Sequence, residues 1–308
     1  MIRRLEKLGV SLFRINLSHT PIEKVRPAIA FLLEHSTIPV CLDSEGAQVR
    51  TGTFAQSPTN LTKNSLIQVH RHPVSGTAER FNFTPAAVIE LLELGDRITI
   101  DFHVVVAEVI EVGSDRAVLR VRKGGPVGSN KACNVYRDIE LPAITDKDRR
   151  AIEIGREMGV DHFALSFANR PKDVCEMREL IGPTATLISK IESRSGIANL
   201  EEIARLSDAI LIDRGDLSRQ VPLEQIPRHQ KDIIERVKAI GRPVYVATNL
   251  LESMVHMAVP TLAEINDIYN TLDDGADGLV LAAETAVGKF PAQCVAMVMR
   301  VISEFERA

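Results

Sequence analysis

In the run Leu187 to Glu192 an ammonium, Lys190, and a carboxylate, Glu192, stand two residues apart. On a β-strand that spacing puts both side chains on the same side. Charges at a strand end inside a packed fold are costly to strip of water, so they are found with a partner or a metal. Two readings follow: an ion pair tying strand to helix, or Glu192 as a metal ligand with Lys190 as the electrostatic clamp of a phosphoryl group or an enolate. The run Ile212 to Leu217 brings a second carboxylate, Asp216, next to Gly215, whose missing Cβ lets a ligand approach the backbone. Carboxylates at neighbouring strand ends suit Mg²⁺, which takes few protein ligands and leaves positions for substrate oxygens. Asp216 taken alone reads as a helix N-cap, and amides after Gly215 at a helix start would receive an anionic group. Thr248 follows the apolar run Val244 to Ala247 and adds a hydroxyl on the next strand, or by itself a capping residue. Their convergence is what points to a site.

A second constellation lies near the start of the chain. Arg14, Asn16 and Ser18 alternate, so the three polar groups share one side of a strand. With Asp43 on the next strand, the oxygens of Asn16, Ser18 and Asp43 could surround a monovalent cation, while Arg14 and Arg50 hold phosphate by paired bonds. The plainer reading is a hydrogen-bonded layer inside a barrel.

The elements that must position these groups recur along the chain. Seven short apolar runs, Leu12 to Asn16, Val40 to Asp43, His162 to Phe167, Leu187 to Ile191, Ala209 to Ile212, Val244 to Ala247 and Gly278 to Leu281, read as strands. Between them lie segments of helical period, among them Asp146 to Met158, Arg170 to Leu180, Gln225 to Ile240, Thr261 to Leu272 and Pro291 to Phe305. Strand-then-helix repetition means a parallel sheet, and continuous apolar runs mean strands covered on both faces. Polar residues follow nearly every strand, which favours a closed TIM-type (β/α)₈ barrel, with about seven strands visible, over an open doubly wound sheet. From Thr51 to about Asp138 the texture changes to short alternating strands: Leu66 to His70, Arg97 to Asp101, Val104 to Ile110 and Ala117 to Val121. This is expected to be an inserted β-barrel lid, dividing the catalytic domain into residues 1–50 and 139–308.

Composition narrows the function classes. The 308 residues carry a net charge of −4 with no long basic stretch, and aromatics are 4% with no Trp. Neither nucleic acid nor a carbohydrate cleft is expected. No apolar run is long enough to cross a bilayer and the first ten residues are too charged for a signal peptide, so a cytoplasmic protein is expected. Cys41, Cys133, Cys175 and Cys294 have neither zinc-site spacing nor a secreted framework and are expected to be reduced thiols.

In order along the chain, Phe13 to His19, Leu42 to Gly52, Gly124 to Val135, Leu141 to Asp148, Ile188 to Glu192, Arg214 to Leu217, Ala247 to Met254 and Ala283 to Gly288 resemble eight sequence blocks of the pyruvate kinase family. The resemblance covers nearly the whole chain. It implies a phosphotransferase in which Glu192 and Asp216 bind Mg²⁺ (or Mn²⁺), Lys190 stabilises the phosphoryl group in flight, and Gly215, Asp216 and Thr248 receive the substrate carboxylate. Arg14, Arg50 and Lys131 would meet phosphates, and K⁺ would bind at Asn16, Ser18, Asp43 and Ser44.

The chain also departs from the family pattern. The family's opening strand and C-terminal regulatory domain are expected to be missing, so a homo-oligomer, or a partner chain completing the barrel, is expected. Asp101-Phe102-His103 stands for an Asp-Asp-Gly turn, Ala282 and Ala283 for Ser and Gly, and Glu45, Gln48 and Val287 for Lys, Glu and Lys. Three functions follow as expectations: phosphoryl transfer between phosphoenolpyruvate or a related enol phosphate and ADP or another acceptor; a Mg²⁺-dependent lyase or aldolase-like enzyme acting on a pyruvate or 2-oxo acid enolate without nucleotide; and a non-catalytic binding partner.

Overall fold

A computed structural model describes residues 1–46, 48–101, 104–137 and 139–307. Phe102 and His103, and the expected lid boundary at Asp138, lie outside the described residues. The chain divides into two units, Met1–Gly46 with Ala143–Ala308, and Ala47–Pro142. Arg50 therefore falls in the second unit.

The first unit is a curled, all-parallel sheet of seven strands paired in chain order. These are β1 (Phe13–Asn16), β2 (Val40–Asp43), β3 (His162–Leu165), β4 (Thr186–Ile191), β5 (Ala209–Asp213), β6 (Val244–Ala247) and β7 (Gly278–Val280). Each expected strand is present. The third is shorter than its apolar run suggested, because at Phe167 the backbone turns left-handed with φ +51 and leaves the sheet. Helices Asp146–Glu157, Pro171–Ile181, Ile226–Ala239, Leu262–Asp273 and Pro291–Phe305 follow the helical periods. The first starts with a capping box, Thr145 accepting from the Asp148 amide while the Asp148 carboxylate takes the Thr145 amide.

Strand alternation sorts the side chains into two layers. One face, with Val40, Leu42, Phe163, Leu165, Leu187, Ile191, Ile210, Ile212, Val244 and Val246, packs on the helices. The other carries a compact inner cluster of Cys41, Ala164, Ile188, Ala209, Leu211 and Ala247. Two residues further along each strand path, this inner face becomes polar: Asp43 follows Cys41, Ser166 follows Ala164, Lys190 and Glu192 follow Ile188, and Asp213 follows Leu211. The strands thus put a charged layer on top of an apolar one.

The second unit is a seven-stranded, mostly antiparallel sheet in the order Cys133–Val135, Arg97–Ile100, Val105–Val112, Arg116–Lys123, Leu66–His70, Arg80–Thr84, Arg50–Thr51. Leu66–His70 and Arg80–Thr84 run parallel. A bridge from Arg50 to Ala132, beside the opposite edge strand, nearly closes the sheet into a small barrel. Phe81, Phe83, Ile67, Ile98, Ile100 and Leu119 fill it. No helix among the described residues is long and apolar enough to cross a membrane.

Candidate active site

Lys190 is the centre of the charged layer. Its Nζ lies 2.9 Å from Glu192 Oε1, 3.3 Å from Asp43 Oδ1 and 3.5 Å from Asp213 Oδ2, and it donates to Ser166 Oγ at 3.1 Å. Lys190 is only 4% exposed, so the ammonium has no bulk water to fall back on. Burial acts against its charge, but Asp43, Glu192 and Asp213 together outweigh it and raise its pKa. The plain strand-to-helix ion pair is thus too small a description: one ammonium stands among three acids, Asp43 of β2, Glu192 just past β4 and Asp213 of β5.

Glu192 is held by one oxygen and exposed to demand by the other. Oε2 accepts the Phe167 amide at 2.6 Å, which the left-handed turn at Phe167 aims at it. Oε1 is buried and makes no hydrogen bond of proper geometry, despite its closeness to Lys190. Burial pushes the Glu192 carboxyl up to about 8, against the pull of Lys190 and with the push of Asp216 and Asp213. Glu192, Asp213 and Asp216 each offer a carboxylate oxygen within 4.8 Å of one another. A buried oxygen whose one neighbour of opposite charge is an ion pair without good hydrogen-bond geometry, inside a set of hard oxygen ligands, fits a divalent cation of the Mg²⁺ kind.

Asp213 was not singled out from the sequence, where Asp216 drew attention because it follows Gly215. In the structure Asp213, not Asp216, caps the short helix Arg214–Gln220, its Oδ1 accepting the Gly215 amide at 3.2 Å. The same oxygen accepts the Thr248 hydroxyl at 2.7 Å. Burial raises the Asp213 pKa, but Lys190, Thr248 and Arg14 more than reverse this and hold it below its ordinary value. Asp216 lies in the first turn and pairs with Arg219 at 2.8 Å. The signal that could have found Asp213 is its parity: it sits two residues after the inward Leu211. Ser166 was missed likewise. Its hydroxyl donates to the Ser44 carbonyl at 2.7 Å and its amide to Ser44 Oγ at 2.9 Å, fixing the acceptor that Lys190 uses.

Thr248 is not a capping residue. Its φ is +77, a region that costs a β-branched residue of order 1–3 kcal/mol. Arg214 holds it there, donating to the Thr248 carbonyl from Nε at 3.0 Å and Nη2 at 2.7 Å while pairing with Asp267. Glu284, the acid of the Ala283 to Gly288 block, is buried and accepts the amides of Leu251 and Ala282. That ties the loop after β6 to the end of β7.

Arg14 pairs with Asp43 Oδ2 at 2.9 Å. Asn16 Oδ1 accepts the Ser18 amide at 2.8 Å. The oxygens expected around a monovalent cation are all hard donors with one charge among them, at Asp43, and Asn16, Asp43 and Ser44 are engaged by the chain's own donors. Asp148 accepts the amides of Glu45 and Gly46 and steadies the turn after Asp43. Arg50 and Lys131 belong to the smaller unit. There Arg50 donates to the Asn130 carbonyl at 3.2 Å, and Lys131 pairs with Asp101 at 2.9 Å.

A family model described as "Pyruvate kinase, barrel domain" matches residues 1–295. The chain is 35% identical to a pyruvate kinase of Methylorubrum extorquens, covering 100% of this chain and 66% of that protein. It is 36% identical to one of Thermotoga maritima, over 100% of this chain and 68% of the other. With a pyruvate kinase of Bacillus licheniformis identity is 34%, over 100% of this chain and 54% of the relative. The chain thus spans between about half and two thirds of the length of these curated relatives.

Proposed function

The chain belongs to the pyruvate kinase family, and from that premise we propose that it is a Mg²⁺-dependent phosphotransferase acting between phosphoenolpyruvate, or a related enol phosphate, and ADP or another acceptor. The observation that carries this reading is Lys190, a buried ammonium beside the donor-poor Glu192 and within one carboxylate cluster with Asp216. Phosphoryl transfer asks little covalent chemistry of a protein; it asks for position and for positive charge where negative charge develops. Lys190 would supply that charge from a position its neighbours already fix.

Glu192 and Asp216 would hold Mg²⁺ or Mn²⁺, which when bound supplies Lewis-acid stabilisation of the enolate and phosphoryl oxygens. Gly215, Asp216 and Thr248 would orient the substrate carboxylate through backbone amides and one hydroxyl. Arg14 would meet phosphate oxygens. K⁺ at Asn16, Ser18, Asp43 and Ser44 belongs to the same reading, and activity in KCl against NaCl measures it.

Pyruvate formation from phosphoenolpyruvate with Mg²⁺, with and without ADP, in wild type and in Lys190→Met and Glu192→Gln, is the test. ADP-dependent turnover lost in both variants supports transfer to nucleotide. A second reading is favoured by Asp213, whose charge stands where an incoming phosphoryl group would need Lys190: a 2-oxo acid enolate enzyme without nucleotide. Solvent exchange of pyruvate methyl protons, without any phosphoenolpyruvate turnover, would select it.

A further inference from the structure

The donors that a carboxylate ligand would need are already occupied by a carboxylate of the chain. Asp213 Oδ1 accepts both the Gly215 amide, at 3.2 Å, and the Thr248 hydroxyl, at 2.7 Å. Its Oδ2 lies 3.5 Å from Lys190 Nζ. Three donors of different origin, a helix-start amide, a strand-end hydroxyl and a buried ammonium, thus converge on one side chain. An N-cap needs only the amide. Thr248 adopts a left-handed φ of +77 that Arg214 must hold, yet the hydroxyl so presented reaches only Asp213 among the described partners. Strain of this kind belongs to ligand clamps more often than to caps.

We propose that Asp213 is an internal occupant of a carboxylate cradle formed by Gly215, Thr248 and Lys190, and that a carboxylate ligand binds by displacing it. This rests on the carboxylate-binding role given above to Gly215 and Thr248. Its consequence is selectivity: a ligand must bring a carboxylate better placed than the resident one, with a neighbouring oxygen that the Glu192 and Asp216 carboxylates can share through a divalent cation. Enolates and 2-oxo acids have that form. The side chain of Asp213 keeps 11% of its surface exposed.

Removing the resident acid should open the cradle to a small external one. Thermal unfolding of the full chain is measured for wild type, Asp213→Ala and Asp213→Asn, in sodium formate and in sodium chloride of equal ionic strength, without divalent metal. Asp213→Ala should melt lower and be selectively restored by formate, whereas wild type and Asp213→Asn, whose amide oxygen still accepts both hydrogen bonds, should not distinguish the salts. Calorimetric titration then follows Mg²⁺ alone and oxalate in excess Mg²⁺. Two charge-assisted hydrogen bonds freed for the ligand should tighten oxalate binding to Asp213→Ala by about tenfold or more over wild type, with Mg²⁺ affinity little changed.

No selective formate rescue of a folded Asp213→Ala would overturn the proposal, as would equal oxalate affinity in both proteins, or a Mg²⁺ affinity that falls about tenfold or more in the variant, which makes Asp213 a metal ligand instead. Formate rescue with no Mg²⁺ or oxalate binding in either protein would leave the cradle standing and remove the proposed function. Should Asp213→Ala not fold, Asp213→Asn carries the test, its oxalate affinity rising with the loss of charge; an unchanged value counts against the proposal.

Discussion

Replacing Lys190 by Met keeps most of the length of the side chain and removes its ammonium from among three acids. At an effective dielectric of about 20, each of its contacts with Glu192, Asp43 and Asp213 is worth about 5 kcal/mol of gross attraction. Desolvating the ammonium costs several kcal/mol and the acids repel one another, so the net effect of breaking the cluster is about 3–5 kcal/mol. For a unit of this size that lowers the melting temperature by roughly 10 °C. The loss depends on pH. Without the ammonium, Asp213 loses the neighbour that most favours its charge and is left as a buried charge that protonation relieves, so the deficit should be largest near pH 8 and shrink toward pH 5.5. Differential scanning calorimetry of wild type and variant at both pH values, free of divalent ions, measures it. A variant less than about 1 kcal/mol below wild type at pH 8, with no narrowing at pH 5.5, would refute the view that Lys190 is the counter-ion of this cluster.

Because burial holds Glu192 near 8, above the ordinary glutamate value of 4.5, the folded chain keeps that proton where an unfolded one has lost it. This contribution to stability is fully present below about pH 4.5 and is lost as pH rises through 8. Mg²⁺ must displace the same proton, so its affinity should rise between pH 6 and 8.5, and titrations in two buffers of different ionisation enthalpy should show about one proton released near pH 6.5 and almost none above pH 9. A flat profile would contradict the assignment. In Gly215→Ala the new Cβ would stand 2.9 Å from Thr248 Cγ2; the hydroxyl must move, and oxalate affinity in Mg²⁺ should fall about tenfold with the fold intact by circular dichroism. Arg214→Met removes both donors to the Thr248 carbonyl and leaves Asp267 without its partner, which should cost about 2–4 kcal/mol in urea unfolding.

The seven strands were legible because each is covered on both faces and therefore written as an unbroken apolar run. Helix starts near Asp146 and Thr261 were legible from the helical period; the capping boxes of Thr145 with Asp148 and Thr261 with Glu264 that fix them are what the structure adds. Lys190 and Glu192 could be placed on one side of β4 from their separation alone. What could not be read is which distant groups they meet. Asp43 lies 147 residues from Lys190, and the contact exists only because β2, β3 and β4 stand side by side. Asp213 was passed over because Asp216, beside Gly215, was taken as the second carboxylate, whereas strand parity puts Asp213 on the inward face. The left-handed turn at Thr248 was hidden as well, since nothing in a threonine announces a positive φ.

The layer of Cys41, Ala164, Ile188, Ala209, Leu211 and Ala247 beneath the charges offers no side-chain hydrogen bond beyond a thiol. It works as an apolar floor: it holds no group that can pair with a charge, so electrostatic imbalance above it must be settled by whatever enters from the open side. Swapping acids for amides along the rim would therefore retune which anions or cations are welcome, while the floor beneath stays as it is.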